Sequence, residues 1–122
     1  MQVRTYKELI VWQKAIQLTI LVYKFTTAFP KEETYGIISQ MRRSAVSIPS
    51  NIAEGWARKN TAEFINFLSI SNGSVAELQT QLVISKELNY GSEVLREEID
   101  SLLVEIQKMI PAMMSSLKRS RS

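Results

Sequence analysis

The apolar residues Ile38, Met41, Ala45, Ile48 and Ile52 recur at alternating steps of three and four, and the run passes straight through Pro49. This phase constrains the fold more than any other feature. Proline inside a helix removes one backbone hydrogen bond, here to the carbonyl of Ala45, and costs about 3 kcal/mol unless neighbours compensate. A chain that broke at Pro49 would lose register beyond it, and this one keeps it. One long helix, kinked at Pro49, is expected. The same test applies to Asn72-Gly73-Ser74, a turn signal when read alone. Phe64, Leu68, Ser71, Val75, Leu78 and Leu82 hold their phase on both sides of it, so a second long helix is expected there.

Two further helices complete the pattern. Thr5 with Glu8 three residues on forms a capping box, so a first helix is expected from there to about Ala28. Pro30 disfavours helical geometry at Phe29 and ends it. The second helix should open on Lys31-Glu32-Glu33, whose carboxylates suit the positive end of a helix dipole, and run to about Ala57. The third should start at the box-like cap Asn60 and Glu63 and reach Leu88. Asn89 to Ser92 reads as a turn, with Gly91 in a left-handed conformation. The fourth should run from after Ser92 to about Leu117, burying Leu95, Ile99, Leu102, Ile106, Met109 and Met113, with Pro111 marking a frayed end. Length supports one core, and four glycines with three prolines are too few for a loop-rich β fold. The expected fold is all-α: an up-and-down antiparallel four-helix bundle over residues 1–118, followed by a short basic tail at 119–122.

The first helix carries more apolar surface than a bundle helix needs. Ile10, Ile20 and Leu21 fall beside its polar positions and should face outward, which marks a contact with further copies of the chain. The second and third helices form a hairpin turning near residue 59. Its seam brings small residues together: Ser44, Ser47, Ser50 and Ala53 against Ser69, Gly73, Ser74 and Ala76. Hydroxyls along this seam are expected to satisfy the carbonyl that Pro49 releases. Asn51 and Glu54 lie close by, which makes a buried polar network, and Arg43 is expected to pair with Glu77.

Several chemistries are excluded by residue type. The chain has no cysteine and no histidine, which removes disulfides, thiolate metal sites and the commonest general base. A catalytic pocket of Ser47, Ser50, Asn51 and Glu54 would lack a base to activate serine. A helical ribonuclease that uses an arginine and a histidine four to six residues apart would lack its histidine. There is no glycine-rich phosphate loop, so no cofactor, metal, small-molecule substrate or enzymatic activity is expected. The first residues lack the order of a signal peptide, and no stretch of 18 residues is free of charge and polarity. A soluble cytoplasmic protein with no membrane partner is expected.

The net charge is +3, and it is unevenly spread. Residues 1–61 hold nine basic and four acidic groups, and residues 62–122 hold six and eight. Arg42, Arg58 and Lys59, then Lys118, Arg119 and Arg121, are the candidate contacts for RNA, and Trp56 beside Arg58 could stack on a base. The alternative partner is another protein, docking on the outward apolar residues of the first helix or on Met109, Met113 and Met114.

Three stretches carry a family resemblance: Leu9 to Leu18, Tyr35 to Leu68 with "RRSAVSIPSNIAEG" at its centre, and Gly73 to Tyr90. Over roughly residues 5 to 90 the chain resembles the four-helix-bundle proteins encoded by intervening sequences in bacterial 23S ribosomal RNA genes. The resemblance implies a left-handed up-and-down bundle that assembles as a homopentamer. It is also similar to the accessory variability determinants of diversity-generating retroelements, basic pentamers that associate with a reverse transcriptase and nucleic acid. That similarity implies RNA or a reverse transcriptase as partner.

Overall fold

The structure, a computed structural model, describes residues 3–121. It contains four long helices: α1 (Ile10–Thr27), α2 (Ile37–Ala57), α3 (Thr61–Glu87) and α4 (Glu93–Arg121). Each packs on its neighbours in sequence, and α4 closes back on α1. Among the described residues the backbones of α1 and α3 stay more than 8 Å apart, as do those of α2 and α4. The result is an up-and-down four-helix bundle in which α1 and α3 occupy opposite corners.

Both disputed stretches are helical. α2 is continuous across Pro49, and α3 is continuous across Asn72-Gly73-Ser74. The carbonyl that Pro49 releases does find a hydroxyl, but not one from the seam. Thr19 of α1 shares its hydroxyl proton between its own helix at Ala15 (2.8 Å) and the Ala45 carbonyl (3.2 Å). The seam hydroxyl of Ser71 donates one turn away, to the Ile48 carbonyl at 2.9 Å.

Three boundaries differ from expectation, the first two because tertiary packing overrides a local signal. The Thr5 box caps only a 3-10 turn, Tyr6–Glu8, in which the Glu8 carboxylate accepts from the Arg4 amide. Leu9 is extended, and α1 begins after it. This places the Tyr6 ring edge-on to Trp12 and Trp56, at 5.3 and 6.3 Å. Lys31–Glu33 is likewise a separate 3-10 turn, and α2 begins only at Ile37. Glu33 points to the far loop instead of a helix dipole, accepting the Tyr90 hydroxyl at 3.1 Å. Desolvation first, and then this carboxylate, raise the pKa of Tyr90. Finally, α4 does not fray at Pro111 but continues to Arg121. Pro111 is exposed, and the carbonyl it releases belongs to exposed Gln107, within reach of water.

The core runs the length of the bundle. Leu18, Val22 and Phe25 of α1 meet Met41, Ile48 and Ile52 of α2, Leu68 and Leu78 of α3, and Ile99, Leu103, Ile106 and Ile110 of α4, all fully buried. Each such side chain stabilises by about 1.5–3 kcal/mol relative to exposure. On α4 Ile99 and Ile106 are buried as expected, and the other two fully buried positions, Leu103 and Ile110, lie one residue beyond the expected Leu102 and Met109. Leu95, Leu102, Met109 and Met113 are only half-buried beside them, because a wide apolar face lets the centre turn inward. Met109, Met113 and Met114 are half-buried, packed against the edge of the core.

Close approach of α2 and α3 is set by Gly55, not by Gly73. A Cβ on Gly55 would lie 2.7 Å from the Cβ of Phe67, so the helices touch backbone to side-chain root there. At the opposite end, Gly91 adopts φ 80° over the ring of Phe25 and has no room for a side chain. Buried Arg96 fastens that loop, donating to Glu93 (2.7 Å) and to the Tyr90 carbonyl, with its guanidinium 5.4 Å from the Phe25 ring.

Candidate nucleic-acid interface

The antiparallel topology sorts the basic residues by end. The α2–α3 turn, the segment before α1 and the last turns of α4 share one pole. It carries seven basic residues (Arg4, Lys7, Arg58, Lys59, Lys118, Arg119 and Arg121) and three acidic ones (Glu8, Glu54 and Glu63). Arg4 and Lys7 were not singled out by sequence spacing. They join the pole only because α1 leads away from it and α2 returns to it.

At this pole the chain turns through Lys59, whose φ of 57° lets Asn60 cap α3. The Asn60 side chain accepts from the Glu63 amide at 3.0 Å. Lys59 is exposed, and its ammonium lies 5.3 Å from the ring of half-buried Trp56. Arg58 is less available. It bonds Glu54 at 3.0 Å, approaches Glu63 at 3.6 Å and lies over Phe67. These ion pairs are exposed and weak, so phosphate can compete for the guanidinium. Lys118 and Arg119 are exposed on the last turns of α4. The side chain of Arg121 lies outside what the structure describes.

Arg42 does not belong to this group. It lies 16 residues before Arg58 on α2, so about 24 Å away along the helix axis. Its guanidinium donates to Thr26 at 2.9 Å and to the Tyr23 carbonyl at 3.4 Å, and covers the Tyr23 ring at 4.5 Å. A cation placed on the last carbonyls of α1 is favourable there, and it ties α2 to α1.

The polar seam is partly as expected. Asn51 donates to the Ser47 carbonyl (2.8 Å) and hydroxyl (2.9 Å), and Ser74 donates to the same hydroxyl at 2.8 Å. Ser47 therefore meets Ser74 across the seam. Ser44, Ser71 and Ser74 are buried in the seam, whereas Ser50, Ser69, Gly73 and Ala76 face outward. Glu54 is exposed and held by Arg58, outside the network. Arg43 and Glu77 line one polar groove with Gln40, Ser44, Ser47 and Gln81, but no ion pair joins them. Among the described residues no acidic cluster could hold a metal ion, and no helix is long and apolar enough to cross a membrane.

Ile10 and Ile20 face outward as expected, at 55% and 52% exposure, while Leu21 is half-buried against the core. A second outward apolar surface, not expected from the sequence, lies on α3, where Ile70, Val83 and Ile84 are exposed. Its signal was present in the residues: the apolar side chains of α3 are not confined to one side of the helix.

The family model described as 23S rRNA-intervening sequence protein matches residues 7–112. Among solved structures, the chain is similar to a protein of unknown function from the S23 ribosomal protein family of Bacteroides thetaiotaomicron. The TM-score is 0.76 at 25% identity, over 86% of this chain and 98% of that one. No curated protein matches.

Proposed function

The chain belongs to the 23S rRNA-intervening sequence protein family, and on that premise we propose a non-enzymatic cytoplasmic bundle that self-associates and binds RNA through its basic pole. The observation that carries this reading is the gathering of seven basic residues against three acidic ones at one end of the bundle. Lysine and arginine at such density attract phosphate and release its counterions, without any need for base-specific contacts. Self-association repeats the pole around the assembly and multiplies a modest local potential. The acidic run of α4, from Glu93 to Asp100, starts at the opposite end and faces away from the RNA. Absence of histidine and cysteine is consistent with binding instead of catalysis.

The test uses nuclease-treated protein and a labelled single-stranded ribosomal RNA fragment, titrated at several salt concentrations. Lys59→Glu combined with Lys118→Glu is expected to weaken binding and to reduce the salt slope by about 0.7 for each phosphate that is no longer neutralised. Unchanged affinity and slope would remove RNA as the ligand of this pole.

A further inference from the structure

We propose that the polar groove between α2 and α3 binds a free zwitterionic α-amino acid, its carboxylate held by Arg43 with Ser44 and Ser47 and its ammonium by Glu77 with Gln81. The groove has a volume of about 290 Å³, near the lower end of small-molecule sites at about 300 Å³. It lies on the flank of the bundle, apart from the basic pole. Arg43 precedes Arg58 by 15 residues, which is about 22 Å along the axis of α2.

Unused hydrogen-bonding groups carry the assignment. Hydroxyls on these helices commonly donate to a carbonyl of their own helix, as those of Thr26, Thr80 and Ser85 do. Ser44 does not. It is 7% exposed and lines the groove, and its hydroxyl makes no hydrogen bond among the described residues. Ser47 accepts from Asn51 at 2.9 Å and from Ser74 at 2.8 Å, and its own proton finds no acceptor among them. Facing these serines, the side-chain amide of Gln81 bonds none of the described residues, and its oxygen is buried. Buried polar groups in folded proteins are nearly all paired. Several left unpaired along one groove point to a partner from outside the chain.

The two walls differ in kind, and that difference selects the ligand. Ser47 meets Ser74 across the seam. One turn further along the antiparallel pair, Glu77 stands level with Arg43 and Ser44, and Gln81 follows a turn later on the same face. The α2 wall therefore offers donors, a guanidinium and two hydroxyls. The α3 wall offers acceptors, a carboxylate and an amide oxygen. Arg43 and Glu77 are both exposed, and among the described residues neither forms an ion pair. An α-amino acid carries its carboxylate and its ammonium on one carbon, so it answers both walls at once. The carboxylate accepts charge-assisted bonds from Arg43 and further bonds from the hydroxyls. The ammonium donates to Glu77 and to Gln81. The side chain is left at the open mouth, so amino acids with compact side chains compete for one site. A nucleobase also combines donors and acceptors, but it needs a flat aromatic surface to stack on. Every residue lining this groove is polar and none is aromatic. A simple anion would leave Gln81 unanswered and meet repulsion from Glu77.

The test uses the full chain after nuclease treatment, screened by thermal shift against the free amino acids, with guanosine and inorganic phosphate alongside. At about a hundredfold excess over its dissociation constant, a bound amino acid is expected to raise Tm by roughly 10 °C. Calorimetry should show one ligand per chain. Arg43→Gln and Glu77→Gln each keep an exposed polar side chain, so both should fold as the wild type does by circular dichroism. Each should bind the amino acid about 10–100-fold more weakly. The two variants also separate the ends of the ligand. The des-amino analogue should bind the wild type more weakly than the amino acid does, and Glu77→Gln should barely distinguish the two. The amide analogue should show the same pattern with Arg43→Gln. Lys59→Glu with Lys118→Glu should leave amino-acid binding unchanged, which separates this site from the basic pole. No shift with any amino acid, or a shift that survives both groove substitutions, would overturn the proposal. So would a shift with guanosine or phosphate where amino acids give none. Groove substitutions that change the mass by light scattering, in a chain that binds no amino acid, would make the groove a contact between copies instead.

Discussion

Replacing Thr19 by valine tests how the bundle tolerates a proline in the middle of α2. Valine keeps the shape of threonine and removes only its hydroxyl. In the native chain that hydroxyl is the observed partner of the Ala45 carbonyl, at 3.2 Å, because Pro49 has no N–H to offer. Ala45 is fully buried, so its carbonyl loses a partner in an environment where water does not readily replace it. A buried polar group left unpaired costs about 1–3 kcal/mol. Here the proton is shared with Ala15, which puts the expected loss near the low end, about 1–1.5 kcal/mol. For a chain of this size that is a fall in Tm of roughly 4–6 °C. The decisive measurement is a double-mutant cycle with Pro49→Ala, by urea unfolding at one fixed protomer concentration. Alanine at that position supplies the missing N–H, so Thr19→Val should then cost only a few tenths of a kcal/mol. Removal of the proline ring and addition of the methyl group appear on both sides of the cycle and cancel. A coupling energy of about 1 kcal/mol is expected. A coupling within about 0.3 kcal/mol of zero would refute the account, since Thr19 would then be indifferent to whether the carbonyl has another partner.

Two further outcomes follow from the packing. Gly55→Ala forces a Cβ to within 2.7 Å of the Phe67 Cβ, which is fixed to the α3 backbone and cannot swing aside. The strain, about 1–3 kcal/mol, exceeds the roughly 1 kcal/mol gained in helix propensity, so the urea midpoint should fall with little change in m-value. Arg42→Ala should lower stability by about 1–2 kcal/mol through loss of its bonds to Thr26 and the Tyr23 carbonyl. Its folded fraction should bind RNA as the wild type does. A selective loss of RNA affinity with stability unchanged would return Arg42 to the interface.

The candidate pole was half legible in the sequence. Arg58, Lys59, Lys118 and Arg119 could be named from local clustering, because residues close in sequence near a turn stay close in space. Arg42 was grouped with them by charge alone, and the helix carried it to the far end. Arg4 and Lys7 were overlooked because their neighbours come from α2 and α4, and only the chain's return path supplies that proximity. Small residues were misassigned for a related reason. Side chains three or four apart share a helix face, but which of two adjacent faces looks inward depends on a rotation of the helix about its own axis. Ser74 lies in the seam as expected and Ser71 joins it, whereas Ser69, Gly73 and Ala76 turned out of it.

The sequence by itself determined four helices, their order and the continuity of α2 and α3, because a phase of 3.6 residues per turn is a local property and survives a single proline or glycine. It also determined what chemistry is missing, since residue types do not depend on folding. Tertiary structure decided the helix starts, where Tyr6 and Glu33 found distant partners stronger than their local caps. It decided that Thr19, not a seam serine, answers for Pro49. These are contacts between segments far apart in the chain, and their energies depend on distances that periodicity does not encode.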